Sequence, residues 1–366
     1  FWFFPRARSS RSSTPLILWL QGGPGYSSLF GLFKENGPFE VTENGLLQKR
    51  EYSWTNHYHM LYIDQPVGTG FSFAENESGF IDTQEQVGEH LYEALLQFYN
   101  LFPALNDQDL YIAGESYAGK FVPAIGFKIH NSNQLPNAIK LPLRGMMIGN
   151  GFSDPENMLG FGKILHGLGF VDRHERKELE ELQEKIKHLI QNKNWIDAAF
   201  STGLLLNNIK TMTNIPSFYD YTRDEHPELD TAYANFVEQD RVRKSIHVGR
   251  GKYEMVSNKV QGLFLKDSMK TVRPWVEELL EHYPMLFYCG QFDIIVAHSL
   301  VENFLRNLRW SGAINYASAR KKIWQEENNT VSGYYKTSGN LVSVLVRKAG
   351  HMVPFDQPKN ALSLIN

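Results

Sequence analysis

Leu110-Tyr111-Ile112-Ala113-Gly114-Glu115-Ser116-Tyr117-Ala118-Gly119 is the stretch whose reading decides the fold. Four residues of strand character run into a turn of small residues, and a helical pattern follows from Lys120 to His130. A serine hydroxyl is a weak nucleophile. Enzymes that use one hold it on a sharp strand-to-helix turn, with small residues two positions to either side so that backbone and helix can approach. Gly114 and Ala118 fill those positions, Ala118 where glycine is the commoner choice. The setting predicts Ser116 as a nucleophile at the end of a strand.

Outward from this turn, short apolar runs bounded by turn residues predict buried strands at Leu16–Leu20, Met60–Ile63, Met146–Ile148, Met285–Tyr288 and Leu341–Val346. Helical patterns separate several of them. Gln84–Phe102 sets Val87, Leu91, Leu95, Phe98 and Phe102 three and four residues apart, and Val272–His282 precedes Met285–Tyr288 in the same way. Alternating strands and helices predict an α/β fold, an open and mostly parallel sheet covered on both faces.

Strand signals fade between about Phe152 and Val237. Asp172-Arg173-His174-Glu175 has the spacing of a capping box, opening a charged helix with Leu179, Leu182, Ile186 and Leu189 on one face. A second helical pattern spans Trp195–Ile209, and Thr211–Asp230 reads as loop, as does Arg6–Ser13. The expected organisation is a core in two parts, 1–151 and 238–366, interrupted by a helical insertion at 152–237.

The 366 residues, 42% of them hydrophobic, suffice for a large core, and 37 Lys+Arg against 40 Asp+Glu leave a formal charge of −3. No basic stripe suits nucleic acid, which is not expected as a partner. No run approaches the ~20 apolar residues of a membrane span. Phe1-Trp2-Phe3-Phe4-Pro5 is too short for a signal peptide, and with no initiator Met the sequence reads as a piece of a longer chain. Cys289, the single cysteine, lies in an apolar run and is expected to be buried and inert. Asn76-Glu77-Ser78 and Asn328-Asn329-Thr330 match the N-glycosylation acceptor pattern, which makes Asn76 and Asn328 candidate sites.

A nucleophilic serine needs a base, and the base an orienting carboxylate. Asp293 follows the strand Met285–Tyr288, and His351 follows Leu341–Val346, giving the chain order Ser, acid, His. Each sits in a loop after a strand, the edge where α/β sites collect. An oxyanion hole is expected from the backbone N–H groups of Tyr117 and of Gly23 in Gln21-Gly22-Gly23-Pro24-Gly25. This chemistry calls for no cofactor and no metal.

Taken together, Trp19–Ser28, Tyr62–Ser72, Gly114–Gly119 and Ala349–Pro358 resemble the serine carboxypeptidase family over nearly the whole chain. Gln21, where many members carry Asn, and Ile246-His247-Val248-Gly249 point within it to the vitellogenic carboxypeptidase-like branch. The resemblance implies an α/β-hydrolase core with a helical cap. It implies an exopeptidase, monomeric or homodimeric, that acts on peptide or protein C-termini in lysosomes or endosomes or outside the cell. It further implies that Gln21, Gly22, Glu35 and Glu115 bind the substrate's terminal carboxylate, and that Phe30, Lys34 and Met352 line the pocket for the leaving residue. Two carboxyls held together cannot both ionise cheaply, so activity is expected to favour acid pH. One departure is clear: family members usually carry several disulfides, one of them from the position held here by Tyr26. Two other readings keep the triad: an esterase or acyltransferase on the same scaffold, and a protein that acts mainly as a binding or protective partner.

Overall fold

The computed structural model describes residues 1–6, 14–224, 231–249, 251–326 and 329–366. The expected loop over Arg6–Ser13 beyond Arg6, the end of the Thr211–Asp230 loop and the acceptor Asn328 lie outside them. In chain order the strands are β1 (Trp2–Phe4), β2 (Leu16–Leu20), β3 (Phe39–Val41), β4 (Leu47–Lys49), β5 (His59–Tyr62), β6 (Leu110–Glu115), β7 (Leu143–Gly149), β8 (Met285–Gly290), β9 (Lys322–Gln325), β10 (Val331–Ser338) and β11 (Leu341–Val346). One nine-stranded sheet takes the order β1-β5-β2-β6-β7-β8-β11-β10-β9, and β3 with β4 forms a separate ribbon. From β5 to β11 along this order neighbouring strands are parallel, and β1, β10 and β9 add antiparallel edges. All six expected strands are present; the edge strands β1 and β9, the neighbouring β10, and the ribbon strands β3 and β4 are not among those the sequence predicts.

The interior strands are buried on both faces, as a parallel sheet covered by helices requires. In β2 the side chains alternate: Leu16, Leu18 and Leu20 join the core on one side, and Ile17 and Trp19 the core on the other. The first side is packed by α1 (Gln84–Leu101) and α2 (Ala118–Gln134), whose Val87, Leu91, Leu95, Phe121, Ile125 and Ile129 are buried there.

Between β7 and β8 the described residues hold no strand. They form α3 (Phe161–Gly167), α4 (Arg173–Gln191), α5 (Trp195–Thr213), α6 (Ala232–Val237), α7 (Asp240–Ser245), α8 (Asn258–Leu263) and α9 (Arg273–His282), the last returning to the sheet. Helical structure thus continues past Val237. The capping box at Asp172 is formed: its side chain accepts from the His174 and Glu175 N–H groups, and Glu175 accepts from the Asp172 N–H. The buried face of α4 is Leu179, Gln183, Ile186 and Ile190, with Leu182 and Leu189 at its margin. The sequence pattern passes over Gln183 because it is polar, yet its Oε1 accepts the Gly162 N–H at 3.0 Å inside the contact with α3. No helix among the described residues is long and apolar enough to cross a membrane.

Candidate active site

Residues at the carboxyl ends of β2, β6, β7, β8 and β11 converge on one edge of the sheet, the crevice where α/β folds bind ligands. At the β6–α2 turn Ser116 has φ = 62°, in the left-handed region. A side-chain-bearing residue is held there at a cost of about 1–3 kcal/mol. Its N–H donates to the Gly149 carbonyl at 3.0 Å, and its own carbonyl accepts from Gly119 and Phe152, each at 2.9 Å. A Cβ on Gly114 would lie 2.6 Å from the Leu20 carbonyl oxygen, and one on Gly119 2.6 Å from the Phe152 nitrogen. Glycine is therefore required at 114 and 119, and the fully buried Ala118 fits between them.

The His351 Nδ1 lies 2.7 Å from Asp293 Oδ2, and both residues are buried. A carboxylate only accepts, so Nδ1 carries the proton and the lone pair is on Nε2. Nε2 has no hydrogen-bond partner among the described residues, and His351 lines the same cavity as Ser116. Asp293 is held by the Asn150 amide at 2.7 Å and the Val296 N–H at 3.2 Å. Asn150, which sequence reasoning missed, is fully buried at the end of β7 with φ = 41°. An asparagine between two glycines after a strand was a legible signal, since asparagine tolerates the left-handed region.

The loop carrying His351 is pinned from outside the sheet. The His351 N–H donates to the Tyr219 carbonyl at 2.7 Å, and the two rings lie 4.9 Å apart. The Gly350 N–H donates to Asp356 Oδ2 at 2.7 Å, and Arg223 bridges Asp356 and Asp220 at 2.6 and 3.0 Å. Burial pushes the Asp356 carboxyl up to about 6, against the pull of the Gly350 N–H and Arg223.

On one side of Ser116 is a polar cavity of about 170 Å³ lined by Gln21, Gly22, Gly23, Tyr26, Phe30, Glu115, Tyr219, Gln261, His351 and Met352. Gln21 is fixed at both ends of its amide, accepting from the Trp19 indole at 2.9 Å and donating to Glu115 Oε1 at 3.1 Å. A Cβ on Gly22 would lie 2.6 Å from both the Glu115 carbonyl oxygen and the Tyr117 nitrogen, so this loop touches the turn beneath it. Glu35 does not line the cavity; it is fully buried, and the Glu115 carboxyl is among its neighbours. Burial raises Glu35 to about 7, with Glu115, Gln21, His351 and Arg50 opposing. Burial and then the charge of Glu35 push Glu115 well above the carboxylate range. Both carboxyls are therefore protonated in acid.

On the other side is an apolar cavity of about 260 Å³ that Ser116, Gly23 and Tyr117 share with Phe152, Met158, Ile186, Ile190, Leu206 and Ile295. Of the residues expected at a leaving-residue pocket, Phe30 and Met352 line the polar cavity. Lys34 does not: its ammonium lies 5.6 Å from the centroid of the Phe355 ring. Where the family resemblance implies a cysteine, Tyr26 forms a backbone bridge with Val256, flanked by Ser27 N–H to Met255 O at 3.1 Å and Ser257 N–H to Gly25 O at 2.8 Å. Main-chain hydrogen bonds tie these two loops. Cys289 is buried and free, as expected. Asn76 is exposed at the start of a short 3-10 turn.

A parallel sheet with a strained serine, a buried His–Asp pair and two cavities at one edge defines the α/β class of serine hydrolases. The serine carboxypeptidase family model matches residues 1–366, and the chain belongs to that family. It is 43% identical over 374 residues to the venom serine carboxypeptidase of Apis mellifera, covering all of this chain and 79% of that relative. It is 42% identical over 375 residues to the vitellogenic carboxypeptidase of Aedes aegypti, with the same coverage. Among solved structures it is similar to Kex1(Δ)p, a prohormone-processing carboxypeptidase from Saccharomyces cerevisiae, with a TM-score of 0.88 at 26% identity over 99% of this chain and 84% of that one. The activity is that of a serine-type carboxypeptidase acting on peptides.

Proposed function

We propose that Ser116, His351 and Asp293 form the catalytic triad of an acid carboxypeptidase that works through an acyl-enzyme. Ser116 Oγ attacks the last peptide carbonyl while its proton passes to His351 Nε2, and Asp293 holds the imidazole by Nδ1–H. The Gly23 and Tyr117 N–H groups receive the oxyanion. The C–N bond breaks as His351 returns the proton to the leaving amine. Water then attacks the ester by the reverse roles, freeing the shortened peptide and Ser116.

Gln21, Gly22 and Glu115, with Glu35 behind it, take the substrate's terminal carboxylate. A peptide C-terminus titrates at pH ~3.5, so at pH 5 it is ionised while both glutamates are protonated, and Glu115 can donate to it with Glu35 uncharged behind. Above neutrality Glu35 ionises and the pair repels it. Phe30 and Met352 flank the leaving side chain, and the apolar cavity takes the side chain preceding the cleaved bond. The helices of 152–237 act as the cap over this cavity, between the core parts 1–151 and 238–366. The exposed Asn76 and the acid preference favour a glycosylated protein of the lysosome or endosome or of the extracellular space.

The observation that carries the reading is the buried Glu115–Glu35 pair beside Ser116. N-blocked dipeptides with a free C-terminus should be turned over far faster than their amides at pH 5. Ser116→Ala should abolish turnover to within roughly 10³-fold of the uncatalysed rate. Equal rates on acid and amide would remove the carboxypeptidase reading and leave an esterase or amidase.

A further inference from the structure

At the far end of α2, about 18 Å along the helix from the elbow by its rise per residue, a second constellation plays no part in the chemistry above. His130 of α2 meets Glu278 and His282 of α9, and one ligand atom from each lies within 4.8 Å of the others. Glu278 Oε1 is 3.3 Å from His282 Nε2 and 4.0 Å from His130 Nε2. The His130 Nδ1 lies 3.1 Å from the Tyr283 hydroxyl, and its Nε2 lies 2.7 Å from the amide of Gln134, one turn further along α2. Two adjacent helices thus each present an i, i+4 pair, His130 with Gln134 and Glu278 with His282, at one point of contact.

We propose that this is a structural site for a borderline divalent transition metal such as Zn²⁺, held by His130 Nε2, His282 Nε2 and a Glu278 carboxylate oxygen. Two imidazoles and one carboxylate suit Zn²⁺ and do not suit Ca²⁺ or Mg²⁺, which prefer all-oxygen sets. Donation of His130 Nδ1–H to Tyr283 leaves the lone pair on Nε2, the outer-sphere arrangement that metal-binding histidines show. Around a tetrahedral ion the ligand atoms lie about 3.3 Å apart, so the cluster must contract, and the His130 and His282 rings, stacked with centroids 4.5 Å apart and planes 25° from parallel, must turn until their Nε2 lone pairs converge. Glu278 and His282, with side chains 52% and 46% exposed, are free to do so, whereas His130 is buried. The Gln134 amide swings aside, or turns its oxygen inward as a fourth ligand in place of water. A bound ion would clamp α9 to the helix that begins two residues after Ser116.

Zn²⁺ titrated into the metal-stripped protein, followed by calorimetry and by thermal unfolding, should show one equivalent bound per chain and a rise in Tm. Co²⁺ should give the intense visible bands of a tetrahedral ion. His282→Ala and Glu278→Gln, both near the surface, should keep the Tm of the metal-free protein and its peptidase rate. Each should lose that equivalent or weaken it at least tenfold, together with the Co²⁺ bands. Zinc binding unchanged in both variants, or no saturable binding below millimolar Zn²⁺, would overturn the proposal.

Discussion

The two cavities that meet at Ser116 are built on opposite principles. The polar one is made by the sheet: Gln21 and Glu115 stand at the ends of adjacent strands, locked by the Trp19 indole and by each other. The apolar one is made largely by the helical segment, from Ile186 and Ile190 of α4 and Leu206 of α5. A carboxylate is recognised by direction and protonation, which hydrogen-bonded side chains at strand ends supply, whereas an apolar side chain needs only volume, which helices supply. Selection for a free C-terminus should therefore be all-or-nothing and preference for the preceding side chain graded.

The strongest way to break this contrast is Glu115→Ala. A charge-assisted hydrogen bond contributes about 1.5–3 kcal/mol, so kcat/KM on free-acid peptides should fall roughly a hundredfold, with turnover of amide peptides little altered. A parallel loss on both substrates would place Glu115 in the chemistry instead. Next in size is the pH response of the same side. Glu35, pushed up to about 7 from an ordinary 4.5, keeps its proton in the folded chain where the unfolded chain has lost it. The stability that Glu35 contributes should then be fully present below pH 4.5 and be lost as pH rises through about 7, a direction opposite to that of a salt-bridged carboxylate. KM for free-acid peptides should climb about tenfold over the two units around that value. Glu35→Gln should flatten both curves, and a KM that stays level in the variant and in the parent alike would uncouple the pair from substrate.

How much of each side was legible in the sequence follows from the same contrast. Ser116, Asp293 and His351 sit in short segments after continuous apolar runs, so strand placement carried them to the carboxyl edge of the sheet, whereas Gln21, which also follows such a run, took its role only from resemblance. Glu35 could be named only from resemblance: it lies on an irregular helical turn, Gly31–Asn36, and no periodicity marks a buried glutamate. Asn150 and the clamp through Tyr219, Arg223 and Asp356 were missed because they act through single hydrogen bonds between distant segments. The edge strand β9 escaped for another reason. Lys322–Gln325 is too short and too exposed to leave an apolar run. On the helical side, Gln183 hid in the buried face of α4 because patterning counts hydrophobicity and cannot see a satisfied amide.

Smaller effects belong to the apolar side. Leu206→Trp, which fills part of the cavity, should lower kcat/KM several-fold for substrates with Phe or Leu before the cleaved bond and leave those with Ala nearly unchanged, consistent with the modest discrimination that apolar pockets achieve. The preference for free acid over amide should not move. The mildest test is Asp172→Ala at the start of α4, which removes the capping box and leaves the first N–H groups of the helix without their side-chain acceptor. Because α4 lines the apolar cavity and not the polar one, that loosening should appear as a lower unfolding midpoint and a blunted choice of the preceding side chain, with KM for the terminal carboxylate unaltered. If the free-acid preference eroded in step with the side-chain preference, the two cavities would have to be coupled, most directly through the Tyr219–Arg223 clamp on the His351 loop.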